Sequence, residues 1–176
     1  MIDQVKNIAV NYKLNQIKKG RNEHPVQYTD FISRARDFFI ILPMDVEAVD
    51  NPNLIFHFLL AFNKNVSVIT TVEVFNYFRY RTKCHLVDFT TDELTKLGLP
   101  DKSLIHRLKR RKFDVVVDLN LNSNNFSTAV ANAVDANFRI GFHSEKAEKY
   151  YNFLISKDEN NPKLSYENLL NSLKMF

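Results

Sequence analysis

Three carboxylates, Asp45, Glu47 and Asp50, stand close together in the segment Pro-Met-Asp-Val-Glu-Ala-Val-Asp-Asn-Pro that occupies residues 43–52. A carboxylate held within hydrogen-bond reach of a hydroxyl can act as its general base. A second polar segment, residues 120–125, carries side-chain amides on Asn120, Asn122, Asn124 and Asn125, which can hydrogen-bond sugar hydroxyls. Each segment also has a plainer reading. Asn51 or Asn53 can cap a helix that starts near Leu54, and asparagine tolerates tight turns.

What gives these loops weight is the pattern of elements around them. Val115, Val116 and Val117 form the short β-branched run expected of a parallel strand buried on both faces. The polar turn follows, then a helix over 127–134 whose alanines keep it thin enough to lie close to a sheet, then a strand over 138–142. That is a βαβ unit. Upstream, strands are expected over 38–42, 66–70 and 84–89, alternating with helices over 54–62, 72–81 and 104–112. A last edge strand is expected over 153–156 and a closing helix over 165–173. The alternation predicts an α/β fold, a doubly wound and mostly parallel Rossmann-like sheet. In such sheets ligands sit beyond the carboxyl ends of the strands near the topological switch point. The loops after Leu42 and Leu119 are therefore the ones to examine.

An extra helix is expected ahead of this unit, over 2–19, with Val5, Ile8, Ala9, Tyr12 and Gln16 along one apolar stripe and Gly20 ending it. A polar, proline-containing link over 21–27 leads to a short helical piece around Phe31. The division expected is a helical extension and link over 1–27 and a main domain over 28–176. Lys6, Lys13, Lys18, Lys19 and Arg21 make the extension basic, which keeps a membrane-surface or partner contact open beside simple packing onto the sheet edge or a second copy.

Composition narrows the classes. The chain has 176 residues, 45% of them hydrophobic, and a net charge of +4, enough for one domain with a sizeable core. Gly20, Gly98 and Gly141 are its only glycines and are too scattered for a phosphate-cradling loop. A single cysteine excludes an intrachain disulfide and fits a reducing cytoplasm. No apolar run reaches membrane-spanning length, and the first residues lack a secretory pattern. His24, His57, His85, His106 and His143 show no metal-ligand spacing with Cys84, and no nucleophile triad is apparent, so neither metal nor cofactor is expected. The basic run from His106 to Lys112 suits the end of a helix. Without an aromatic stacking platform it gives no reason to expect nucleic acid. Phe38, Phe39, Phe56, Phe58 and Phe62 read as core.

The segment Phe-Asp-Val-Val-Val-Asp-Leu (113–119), the Ala-rich helix and Arg-Ile-Gly-Phe (139–142) together resemble the first domain of glycosyltransferase family 9, the bacterial ADP-heptose:lipopolysaccharide heptosyltransferases. Asp114, Asp118, Leu119, Ala131, Ala136, Arg139, Ile140, Gly141 and Phe142 fall in matching places. Tyr151-Asn152, the helix at Ser165–Leu173 and the opening strand Phe39-Ile-Ile-Leu-Pro43 extend the likeness from about Phe38 to the C-terminus.

The resemblance implies a cytoplasmic domain of a lipopolysaccharide-building enzyme that meets a saccharide or lipid-linked acceptor. Asp45, Asp50, Asn120, Asn122 and Asn124 would be the acceptor-side candidates. The family carries a Gly-Asp pair in the first loop, and here that loop has no glycine. Its second, donor-binding domain has no counterpart within this sequence. The expectation is therefore a degenerate domain without transfer activity of its own. Two alternatives stand beside it: a self-associating or partner-binding module using the face a second domain would cover, and the acceptor half of a split transferase.

Overall fold

The computed structural model describes residues 2–20, 29–122 and 124–176, so the expected link over 21–27 lies outside the described residues. In chain order the elements are α1 (Ile2–Lys19), α2 (Phe31–Arg34), β1 (Asp37–Ile41), α3 (Asn53–Ala61), β2 (Asn65–Thr70), α4 (Val72–Tyr77), β3 (His85–Asp88), α5 (Lys102–Leu108), β4 (Lys112–Asp118), α6 (Asn125–Ala133), β5 (Asp135–Phe142), β6 (Phe153–Ile155) and α7 (Pro162–Lys174). The strands form one sheet in the order β3-β2-β1-β4-β5-β6. Every neighbouring pair is parallel. The order runs outward in both directions from the β1–β4 boundary, the doubly wound topology expected from the alternation of elements.

Because side chains alternate across a strand, the central strands feed two cores. Phe38, Ile40, Val68, Val115 and Val117 join α3, α4 and α7 on one face. Phe39, Ile41, Ile69 and Val116 join α1, α5 and α6 on the other. The valine run of β4 is buried on both faces, as its β-branched composition requires. Helix α6 is enclosed throughout, with every residue from Phe126 to Ala133 buried. Its alanines let it lie on the sheet while α1 and α5 cover it from outside.

That cover is where the reading of α1 changes. The side chains buried against the core are Val10 and Leu14, with Ile17 packed beside them. Val5, Ile8 and Tyr12, the stripe expected to face inward, are 62, 70 and 60% exposed. The helix has two apolar stripes on opposite sides, and contact with α6 selects the second.

Other boundaries move for local reasons. α4 stops at Tyr77 instead of reaching Arg81, because Phe78 leaves the helical conformation and its ring meets Phe56 at 4.6 Å. α5 begins early, where Asp101 Oδ1 accepts from Leu104 N at 2.8 Å, and it ends at Leu108 within the basic run, so His106 and Arg107 lie in its last turn while Lys112 opens β4. Neither Asn51 nor Asn53 caps α3: Pro52 occupies that position without a side-chain bond, and Asn53 Oδ1 is buried without a partner. Phe62, expected in the core, follows α3 with its side chain 63% exposed. Cys84 lies just ahead of β3 and is half-buried.

Candidate functional site

The switch point lies between β1 and β4, and two loops leave the sheet there. The strand ladder carries past the strand ends, Leu42 N donating to Ile69 O and Leu119 N to Ile41 O. Asn120 Nδ2 reaches Leu42 O at 3.5 Å and ties the two loops together.

Beneath that tie lies Asp118, the last residue of β4 and 3% exposed. Its Oδ1 accepts from Asn120 N at 3.0 Å and Asn120 Nδ2 at 2.7 Å. Its Oδ2 accepts from Tyr151 Oη at 2.5 Å. Burial pushes the Asp118 carboxyl above the ordinary carboxylate range, against hydrogen bonds from Tyr151 and Asn120 that favour its charged form. The Tyr151 phenol is held well above its ordinary value, by burial first and the neighbouring carboxylate second. Tyr166 Oη donates to Leu119 O at 2.9 Å from the other side of the sheet. A carboxyl this enclosed cannot reach the hydroxyl of an external ligand, which general-base work requires. What it does is fix Asn120 and Tyr151.

Gly141 makes this arrangement possible. A Cβ there would stand 2.9 Å from Cδ1 of Tyr151, inside any tolerable contact, so the glycine clears the path of the phenol ring across β5. The neighbouring Arg139 is buried and serves α6: its Nε donates to Ala131 O at 2.8 Å, Nη2 to Val134 O at 2.9 Å and Nη1 to Ala136 O at 2.8 Å. It thus satisfies carbonyls that the end of a helix leaves open, with a cation where the helix dipole favours one. Asn152 Oδ1 accepts from Arg139 N at 2.6 Å, and its Nδ2 donates to Asn137 O at 3.0 Å. The Arg-Ile-Gly-Phe and Tyr-Asn segments therefore work as parts of one packing device.

The five residues singled out from the sequence divide between the two loops and the framework. Asp45 is exposed, its Oδ1 accepting from Glu47 N at 2.9 Å within the turn. Asp50 Oδ1 accepts from Arg79 N at 3.1 Å and joins the first loop to the end of α4. Asn120 belongs to the Asp118 network. Asn124 caps α6, its Oδ1 accepting from Ser127 N at 2.7 Å. Asn122 is exposed, with Lys157 Nζ donating to its Oδ1 at 3.4 Å.

Cations gather at this loop from the strands beyond β4. Lys157 follows β6, and Lys146, which follows β5, donates to Asn125 Oδ1 at 2.5 Å; burial lowers the Lys146 ammonium from its ordinary value. The sequence reading passed over Lys146 and Lys157, which are brought in from separate segments. Asp118 and Tyr151 had a usable signal, an acid ending a doubly buried strand and a tyrosine beside a strand glycine. No cluster of three or more His, Cys, Asp or Glu placed to hold a metal ion occurs among the described residues. No described helix is long and apolar enough to cross a membrane.

Cavities lie elsewhere. One of about 320 Å³ opens between β3 and α5 beside Arg107 and Arg111, and others line the amino edge of the sheet. The interest of the carboxyl edge rests on its topology and donors.

Solved structures with the same fold include E. coli heptosyltransferase WaaC with ADP-2-deoxy-2-fluoro heptose. It is 9% identical with a TM-score of 0.57, over 79% of this chain and 49% of that one. E. coli ADP-heptose lps heptosyltransferase II is similar at 14% identity and a TM-score of 0.54, over 70% of this chain and 36% of that one. The chain spans half or less of these neighbours, and at such identities the likeness is one of fold. No curated protein matches the sequence significantly. Residues 6–176 take in most of α1 and the whole sheet, so the helix that covers α6 and the β1–β4 switch point fall within one matched unit: across that span the chain belongs to the family of unknown function DUF6913.

Proposed function

We propose that this domain binds a sugar-bearing ligand at the carboxyl edge between β1 and β4, without catalysing glycosyl transfer by itself. The observation that carries the reading is the division of labour among its acids. The carboxyl best placed at the switch point, Asp118, is enclosed and engaged by Tyr151 and Asn120. Asp45 sits in a turn and Asp50 anchors α4. The loop has no glycine through which backbone could approach a substrate closely. What remains, the exposed Asn122 amide and Asp45 carboxylate beside a half-buried Lys157 ammonium that also pairs with Glu159 at 3.7 Å, suits hydroxyl and phosphate recognition. The fold shared with heptosyltransferases, one of them solved with a nucleotide-sugar analogue, supports the same ligand class. We place the domain in the cytoplasm. Burial pushes its one thiol, Cys84, up to about 12, which keeps it protonated near neutral pH.

The test is a two-dimensional amide nuclear magnetic resonance titration with heptose, hexoses and their phosphates. Shifts centred on Asn122, Asp45 and Lys157, weakened in Asn122→Ala and Lys157→Ala, are the expected result. An unperturbed spectrum removes the site, and transfer of a sugar by the purified chain removes the non-catalytic half of the proposal. A second reading, self-association, draws on the exposed Val5, Ile8 and Tyr12 of α1; a strictly monomeric chain on sedimentation at micromolar concentration would end it.

A further inference from the structure

The opposite, amino edge of the sheet carries a polar trough that no sequence segment contains alone. Two cavities meet along it. One, of about 630 Å³, is lined by Arg34, Arg36, Phe62, Asn63 and Asn65. The other, of about 250 Å³, shares Arg34 and continues past Asp114 to Asn137. Their chemistry is specific. Phe62 presents a mostly solvent-exposed ring at one end. At the other, the buried Oδ1 of Asn137 has no hydrogen-bond partner.

The charge of this edge is fixed by the fold. Arg36, Lys64 and Arg111-Lys112 immediately precede or open the adjacent strands β1, β2 and β4, and the order β2-β1-β4 lines them up. Lys64 is spent on structure, donating to the carbonyls of Ile32, Ser33 and Ala35. Burial and the nearby Arg36 lower its ammonium from the ordinary value. Three acids at this edge are also engaged, and a fourth, Asp135, opens β5 in register with Lys112. Asp114 Oδ2 accepts from Arg36 N and Asp37 N. Asp37 pairs with Arg111 at 3.3 Å, and Asp30 with Arg34 at 3.7 Å across exposed side chains. Arg36, Arg110 and Lys112 are exposed and make no ion pair among the described residues.

We propose that this trough binds single-stranded nucleic acid. A positive groove that follows a phosphate backbone, next to an aromatic face on which a base can stack, is the general design for that ligand. The arginine forks meet phosphates in two-point fashion, Phe62 offers the stacking face, and the exposed Asn63, with Asn65, whose Nδ2 also donates to Asp37 Oδ1 at 3.2 Å, supplies amide groups for base edges. A free mononucleotide shares this chemistry. The basic row extending past the trough to Arg110 and Lys112 favours the polymer, since one nucleotide cannot use charges spread over three strands. The sequence pattern argued against nucleic acid for want of a stacking platform, and the fold supplies one by carrying Phe62 beside Arg36. This inference concerns the opposite edge from the sugar site, and neither depends on the other.

Fluorescence anisotropy with labelled oligouridylate and oligothymidylate of about 15 nucleotides tests it. The expected result is binding that weakens between about 50 mM and about 200 mM salt, with a log–log slope of roughly −2 for three neutralised phosphates. Arg34→Ala with Arg36→Ala should weaken binding about tenfold or more and flatten that slope. Phe62→Ala should weaken it roughly fivefold or more and leave the slope unchanged. Unchanged circular dichroism and thermal unfolding exclude misfolding of either variant. No binding at about 50 mM salt, indifference to Phe62→Ala, displacement by uridine monophosphate at equal nucleotide concentration, or capture by phosphatidylglycerol vesicles with no oligonucleotide binding would each overturn the proposal.

Discussion

Asp118 holds two loops together from a place where a carboxylate is expensive. Water is excluded, so the charged form is stabilised by Tyr151 and Asn120 with a smaller contribution from Ser127, and burial outweighs them in raising the carboxyl from its ordinary value. The folded protein thus holds the Asp118 proton more tightly than the unfolded chain does. Between the ordinary carboxylate range and the raised folded value the native state carries the extra proton, so this group's stabilising contribution is present at low pH and lost as pH rises through that window. The slope is at most one proton, about 1.4 kcal/mol per pH unit. Asn at this position copies the protonated acid, its oxygen accepting from Asn120 and its nitrogen donating to Tyr151. Asp118→Asn should therefore remain folded and remove this component of the pH dependence. Urea titrations of both proteins at stepped pH from about 4 to 7 would show it as a stability difference that grows with pH in favour of the variant. A constant difference would mean that Asp118 titrates alike in both states.

At the scale of elements, α1 shows most clearly where sequence reading stops. Its helical period was legible, and so was its end at Gly20, whose N–H meets the carbonyls of Gln16 and Ile17. Its inward face was not, because Val5, Ile8 and Tyr12 recur with a helical period as regular as that of Val10, Leu14 and Ile17. Only the position of α6 decides between them. The decision has a measurable consequence: Leu14, 1% exposed, should cost about 2–5 kcal/mol when cut to Ala, whereas Ile8→Ala on the outer stripe should stay within about 0.5 kcal/mol apart from a small gain in helix propensity. Denaturant midpoints of the two variants check this, and a reversed order would mean that α1 docks by its other side. The strands were more legible, since a β-branched run buried on both faces has little alternative to a central parallel strand. The end of α4 was not, because Phe78 turns toward Phe56, a partner distant in sequence, whereas the start of α5 had a local signal in Asp101, which caps it by accepting from Leu104 N.

For the molecule as a whole, the doubly wound order follows from the alternation of elements, while the two candidate surfaces depend on which loops that order brings together. Asn122 meets Lys157 only once β4, β5 and β6 lie side by side, and Phe62 comes to line one cavity with Arg36 only once β1 and β2 pair; neither pairing has a periodic signature along the chain. The same order sets a gradient of local stability. β1 and β4 are flanked on both sides, and Phe38, Ile40, Val115 and Val116 are fully buried. β3 is an edge strand whose residues are half-buried or exposed. Opening β3 uncovers little apolar surface, whereas opening β1 or β4 breaks both cores at once. Native-state hydrogen exchange should therefore find the amides of Ile40, Ile41, Val116 and Val117 exchanging only through global unfolding, and those of Leu86 and Val87 through cheaper local opening. α6 belongs with the slow group, since α1 and α5 close over it. If α6 amides instead exchange as fast as those of β3, α1 does not cover it in solution, and the exposed outer stripe of α1 loses its meaning as a surface held in place by the fold.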